Sequence, residues 1–197
     1  MALAARRTDK LAELARDIGG SVHACDAADP ASVAALFAAV GRPGIVLYNP
    51  SYRARGPLVD LDPAEVARSL SITAYGAFLV AQQAVRGMLA LGGGTILLTG
   101  ASAGVKGFAQ SAPFAMGKFA LRGLAQSMAR ELHPQGIHVV HVVVDGGIRA
   151  AGRPVPADKP DSLLDPDAIA QTMLDVLAQP RSCWTDEVVV RPWVERF

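Results

Sequence analysis

Apolar positions along the chain follow two alternating rhythms. Short, nearly continuous apolar runs occur at Met1–Ala5, Ser21–Cys25, Gly44–Tyr48, Thr95–Thr99, Ile137–Val144 and Glu187–Arg191. Runs of that length without alternation are expected of strands covered on both faces. Between them the spacing changes to three and four. Leu11, Leu14 and Ile18 share one face of a helix that starts near Thr8 and stops at Gly19 or Gly20. Gly117, Leu121, Leu124, Met128 and Leu132 form one apolar stripe, ended by His133-Pro134 and Gly136. Three further helices open with aspartate at the N-cap and proline in the first turn: Asp29-Pro30, Asp62-Pro63 and Asp165-Pro166. Glu65 stands where a capping-box acid would reach back to the second of these caps. That helix is expected to run from Pro63 to about Leu89, apolar on more than one side. Strands alternating with helices predict a doubly wound, mostly parallel sheet in a single α/β domain over residues 1–197. Arg149–Leu163, with three prolines, reads either as a lid over the strand ends or as a plain surface connection.

Composition narrows the classes. The chain has 197 residues, of which 51% are hydrophobic, and a formal net charge of +1. That suits a sizeable core, and it offers no basic stripe for nucleic acid. No apolar run reaches the roughly 18 residues of a membrane span, and Met1–Ala5 lacks the form of a leader. A cytoplasmic protein is expected. Cys25 and Cys183 fit a reduced pair better than a disulfide, with pairing left open. His138 and His141 are three apart on one strand and so point to opposite faces. His23 and His133 add no ligand spacing, and no metal site is expected.

The candidate chemistry lies around Phe114-Ala-Met-Gly-Lys118, which follows a strand and the small-residue loop Gly100-Ala-Ser-Ala-Gly104. Several other segments fall in order around it: Ala4-Ala-Arg-Arg7 with Lys10-Leu11, Cys25-Asp26, Leu47-Tyr-Asn-Pro-Ser51, Gly56-Pro57-Leu58, Thr73-Ala-Tyr-Gly-Ala-Phe78 and Asp145-Gly146-Gly-Ile148. Together these resemble the short-chain dehydrogenase/reductases over nearly the whole chain. The resemblance implies a Rossmann-type sheet and hydride transfer between a nicotinamide and a small-molecule carbonyl or alcohol. It also implies a homodimer or homotetramer built on the long helices Pro63–Leu89 and Phe114–Leu132.

Carried over position by position, the family's lysine is Lys118, which would also contact the nicotinamide ribose. Its tyrosine acid/base falls on Phe114, its serine on Ala101 and its asparagine on Thr73. Asp26, Asn49 and Ile148 match cofactor-contacting positions. Arg6 and Arg7 end the strand that would lie beside the adenosine ribose, with no carboxylate there. Arginine at that place favours a 2′-phosphate, so NADP is expected rather than NAD; the alternative is a solvated basic turn. Phenylalanine cannot donate a proton, and losing a general acid costs about 10²–10⁴ in rate. Ser102, Ser111, Tyr48 and Tyr52 are the candidate substitutes.

The family's first strand, glycine-rich turn and helix have no counterpart before Met1, so the sheet is expected to lack that unit. Thr99–Gly104 has glycine spacing but puts Lys106 where the third glycine would stand. Three readings stay open: an active reductase, a non-catalytic Rossmann-fold protein for binding or assembly, and a truncated inactive fragment.

Overall fold

The computed structural model describes residues 1–150, 152 and 154–195. Its axis is β5 (Ile137–Val144), in which all eight residues are buried. Continuous β-branched residues suit a strand packed on both faces. β5 pairs in parallel with β4 (Gly94–Thr99) on one side and β8 (Glu187–Val190) on the other, and β4 pairs with β3 (Ile45–Tyr48). This gives a four-stranded sheet in the order β3-β4-β5-β8.

Helices cover both faces. On one, α4 (Gly76–Leu91) and α5 (Ala112–Leu132) bury Ala77, Ala84, Met88, Leu121, Ala125, Met128 and Leu132 against Ile96, Leu98, Ile137 and Val139. On the other, α6 (Pro166–Leu177) packs Val176 against Leu97, Val140 and Val142. Each fully buried leucine or valine of this kind contributes about 1.5–3 kcal/mol. The expected doubly wound parallel architecture is what forms.

The N-terminal part is thinner. β1 (Ala2–Ala5) pairs in parallel only with β2 (Ser21–Ala24), and α2 (Pro30–Val40) packs Val33 against Cys25 and Leu79. α1 (Ala12–Asp17), one turn shorter than its spacing suggested, buries only Ala15. The predicted stripe is not covered: Leu14 and Ile18 are exposed, because no neighbouring element packs on that face.

Among the described residues no strand lies between β1 and β3. A cavity of about 1050 Å³ takes that place, lined by Ala2, Ala4, Ile45 and Leu47 with Phe37 and Val80. In a parallel ladder, alternate residues bond to opposite neighbours. Thr95 N donates to Gly44 O and Ser21 N donates to Met1 O. The backbones of Ile45 and Leu47 therefore turn into the cleft from one side, and those of Ala2 and Ala4 from the other.

The helix caps read from sequence form as expected. Asp29 accepts from the Ala31 and Ser32 amides, Asp62 from Ala64 and Asp165 from Asp167. Glu65 does not close a capping box. Its carboxylate takes the Tyr52 hydroxyl and pairs with Arg68, because the chain brings Tyr52 beside the first turn. The long helix predicted from Pro63 is α3 (Pro63–Leu70), a π-helical turn over Ser71–Tyr75, and then α4. Of Arg149–Leu163, residues 151 and 153 lie outside the described residues. At its end a short strand, β7 (Leu163–Leu164), pairs with β6 (Gly147–Ile148). Cys25 and Cys183 are free thiols.

Candidate active site

Four of the predicted site residues meet at the carboxyl ends of β4 and β5, where open α/β sheets place their ligands. Lys118 enters from the second turn of α5. It is 3% exposed and its Nζ donates to Thr99 O at 2.6 Å. Burial, and secondarily the charge of Arg53, hold its ammonium down at a pKa of about 8. Phe114, one helical turn earlier, is buried, with its ring centroid 5.8 Å from Lys118 Nζ. Ala101 follows β4 in extended backbone ahead of a single turn at Ser102–Gly104. Thr73 is buried inside the π-helical turn, the helix irregularity most often found at functional sites. Its Oγ1 accepts from the Tyr52 amide at 3.3 Å. Gly117 lets α5 approach it: a Cβ there would come within 3.0 Å of Thr73 Cβ.

The loop carrying Arg53 is tied to this site. Ser69 Oγ lies between the carbonyl oxygens of Tyr52, at 2.9 Å, and Pro113, at 3.2 Å. The Gly56 amide donates to Gln110 O. Arg53 then lies over the Phe114 ring, its Cζ 4.1 Å from the centroid. Sequence reasoning passed over this residue. The signal was the basic run Tyr52-Arg-Ala-Arg55, which has no acid within it.

Two of the candidate proton donors are committed elsewhere. Tyr48 donates to Ile72 O at 2.5 Å and is buried, which pushes its hydroxyl far above the usual phenol range. Tyr52 is held by Glu65, whose bond raises it as well. Ser111 is buried at the N-cap of α5, and Ser102 sits half-buried in the turn after Ala101.

Behind the site lies a charged group that histidine spacing alone does not reveal. Arg122 donates to both oxygens of Glu187, at 2.7 Å each, and His141 Nδ1 meets Glu187 Oε2 at 3.0 Å. Arg122 holds the Glu187 carboxyl below its ordinary value. Burial pushes His141 down, against the pull of Glu187, so the imidazole is neutral near neutral pH. His141 is 1% exposed, and its Nε2 has no hydrogen-bond partner. The reason is local: the Nε2 abuts Gly100, where a Cβ would fall 2.4 Å away. His138, on the opposite face as its spacing predicted, bonds to Thr185 O and stacks on Trp184. Among the described residues no three His, Cys, Asp or Glu gather to hold a metal.

The residues expected at a cofactor are spread along the cleft. Arg6, Asp26 and Asn49 line it, with Arg6 at the end of β1. Arg7 is exposed and does not line it. Asp26 is engaged in a local turn, accepting from the Ala28 amide at 3.0 Å. Ile148 lies apart in β6, paired with Leu164. Lys118 keeps donor capacity beyond Thr99 O for a ribose hydroxyl. The two ends of a dinucleotide thus find suitable groups. Thr99–Gly104 closes into a short turn rather than opening a helix, so it does not form a helix N-terminus for a diphosphate.

Comparison with known proteins gives a consistent set. The family described as "Enoyl-(Acyl carrier protein) reductase" matches residues 1–182. The chain is 31% identical over 142 residues to 17-beta-hydroxysteroid dehydrogenase type 1 of Homo sapiens, covering 71% of this chain and 43% of that protein. It is 35% identical over 130 residues to trans-4-hydroxycyclohexanecarboxylate dehydrogenase of Sinomonas cyclohexanicum, covering 64% and 49% respectively. The chain therefore spans about half the length of these curated relatives. A short-chain dehydrogenase structure from Rhodopseudomonas palustris superposes with a TM-score of 0.83 at 30% identity, covering 98% of this chain and 86% of that one. A metagenomic short-chain oxidoreductase in complex with NADP gives the same score and coverage at 28% identity.

Proposed function

The chain belongs to the short-chain dehydrogenase/reductase family, and from that premise we propose that it is an NADP(H)-dependent oxidoreductase acting on a small carbonyl or alcohol. The observation that carries this reading is Lys118. A lysine almost wholly removed from water, with its pKa near 8, is costly to keep unless the charge has work to do. In this reading Lys118 holds the nicotinamide ribose, Asn49 stands beside it, and Arg6 takes the 2′-phosphate at the end of β1. Asp26 and Ile148 flank the cofactor, and Arg7 adds positive potential from outside the cleft. A bound nicotinamide supplies the hydride chemistry.

The chain's own residues make proton transfer slow. Phe114 and Ala101 bring neither a donor nor an oxyanion partner, and Thr73 Oγ1 accepts from the Tyr52 amide. Proton delivery then falls to water or to Ser102 or Ser111. The expected assembly is a homodimer or homotetramer through the long helices, α3 with α4 and α5.

The test is NADPH oxidation on a panel of carbonyl compounds, with the parent chain run beside a Phe114→Tyr, Ala101→Ser double variant. Slow turnover in the parent, raised at least about 10²-fold in the double variant, is expected. Cofactor binding followed by calorimetry is expected to be high-micromolar or weaker for want of a diphosphate cradle. Bound cofactor with no turnover in either protein would replace this reading with a non-catalytic one.

A further inference from the structure

We infer that Arg53, with Lys118, recognises the carboxylate of a small organic acid at the Phe114 ring. As a statement about substrate this rests on the reading proposed above; as a statement about binding it stands alone.

The first ground is how arginines are partnered elsewhere. Arg122 is paired with Glu187, Arg149 with Asp165, Arg68 with Glu65 and Arg191 with Asp145. Arg53 differs. Among the described residues no carboxylate lies within ion-pair distance of Arg53, Arg55 or Lys118. What each cation feels instead is another cation: Lys118 feels Arg53, and Arg53 feels Arg55, in both cases after burial as the larger influence. The exposed guanidinium groups of Arg53 and Arg55 and the buried Lys118 ammonium thus gather positive charge that no carboxylate among the described residues offsets.

The second ground is geometry. The Arg53 Cζ lies over the Phe114 ring, 4.1 Å from its centroid, and among the described residues no hydrogen bond takes its N–H groups. Lys118 Nζ is 5.8 Å from the same ring, and its bond to Thr99 O spends only one of three protons. A planar fork over an aromatic ring, with a compact ammonium 5.8 Å from the same ring, suits the two oxygens of a carboxylate. The ring itself offers an apolar surface to the body of the acid. The loss of the tyrosine hydroxyl thus has a second meaning. Phenylalanine at 114 removes a group that would compete for the fork and leaves a plain ring for it to lie on.

The experiment is a fluorine NMR titration of the purified chain without cofactor, using para-fluorobenzoate against its neutral isostere para-fluorobenzamide. The parent is compared with Arg53→Gln and Arg53→Lys, and circular dichroism checks that each variant is folded. The acid should bind at least ~10-fold tighter than the amide in the parent. Arg53→Gln should abolish that preference, and Arg53→Lys should restore only part of it, since an ammonium lacks the fork. The thermal midpoint of Arg53→Gln should be unchanged or raised, because a repelled charge has gone. Equal binding of acid and amide overturns the proposal, and so does an unchanged preference in Arg53→Gln. Displacement of para-fluorobenzoate by inorganic phosphate at equal concentration overturns the assignment to a carboxylate. A lowered midpoint with the acid preference intact assigns Arg53 a structural role and overturns it too. Because no cofactor is present and no turnover is read, failure of the hydride-transfer reading would leave the acid preference in place. Loss of the preference alongside measurable turnover would overturn this proposal alone.

Discussion

Residues 2–5 and residues 137–144 are both short apolar strands in parallel pairs, yet they end in different surroundings. β5 has a strand on each edge and helices on each face, and nothing in it is exposed. β1 has one strand on one edge, a cleft on the other, and residues that alternate between exposed and half-buried. Strand character comes from the residues themselves, whereas burial comes from neighbours that may lie anywhere in the chain. The same contrast separates α5, whose stripe is covered, from α1, whose stripe is open.

The sharpest way to break this comparison is by core truncation. Leu121, fully buried on the inner face of α5, should cost about 2–5 kcal/mol when changed to alanine, whereas Leu3→Ala should cost less than about 1 kcal/mol. Urea unfolding measures both, and equal costs would mean the N-terminal pair is as well supported as the main sheet.

Next in size is Arg122→Met, which strands Glu187 beside His141 and should cost roughly 2–3 kcal/mol. The pH response follows from two lowered groups. Glu187 is held below the ordinary carboxylate range in the folded state, so its contribution is present above that range and is lost as pH falls through it. His141 is lowered too, so below about pH 6.5 the unfolded state takes up the proton more readily, and stability again falls with acid. The parent should therefore weaken steadily on acidification, and Arg122→Met should flatten the carboxylate part of that slope.

A smaller effect of opposite sign is expected at Lys118. Its folded pKa of about 8 lies below the free value of 10.5, so its charge opposes folding at neutral pH. Lys118→Met should gain about 1–2 kcal/mol near neutrality. The advantage should shrink above about pH 8 and vanish near pH 10, as the lysine of the unfolded parent also loses its proton. Loss of stability at pH 7 would show that the bond to Thr99 O outweighs the cost of burial.

The smallest effects should ignore the comparison altogether. Asp29→Ala in the thin half and Asp62→Ala at α3 in the thick half should each cost about 0.5–1 kcal/mol, because an N-cap answers to its own first turn. A difference well beyond that between the two would show that capping here depends on the sheet.

The same boundary between local and distant causes decided what could be read before the fold was known. Asp-Pro caps, the α5 stripe and the β5 run carry their reasons within a turn or two of chain. Glu65 was misplaced because its partner Tyr52 approaches from outside the helix. The exposure of Leu14 and Ile18 reflects that, among the described residues, no element packs on that face. At the site, Lys118, Phe114, Ala101 and Thr73 came from the family resemblance, carried over position by position. Arg53 was not, because its relation to Phe114 spans some sixty residues and depends on Ser69 and Gly56 pinning two loops together. Glu187 and His141 likewise lie 46 residues apart and meet only through strand register.

The cleft beside β3 also sets a clock. Val46 spends its amide on β4, while the amides of Ile45 and Leu47 look into the cavity from a strand whose side chains there are 56% and 51% exposed. In heavy water, deuterium should enter Ile45 and Leu47 early and Val46 late, an every-other-residue pattern along a single strand. Anything that came to lie in the cleft as a strand would erase that pattern before it altered any other signal in the protein.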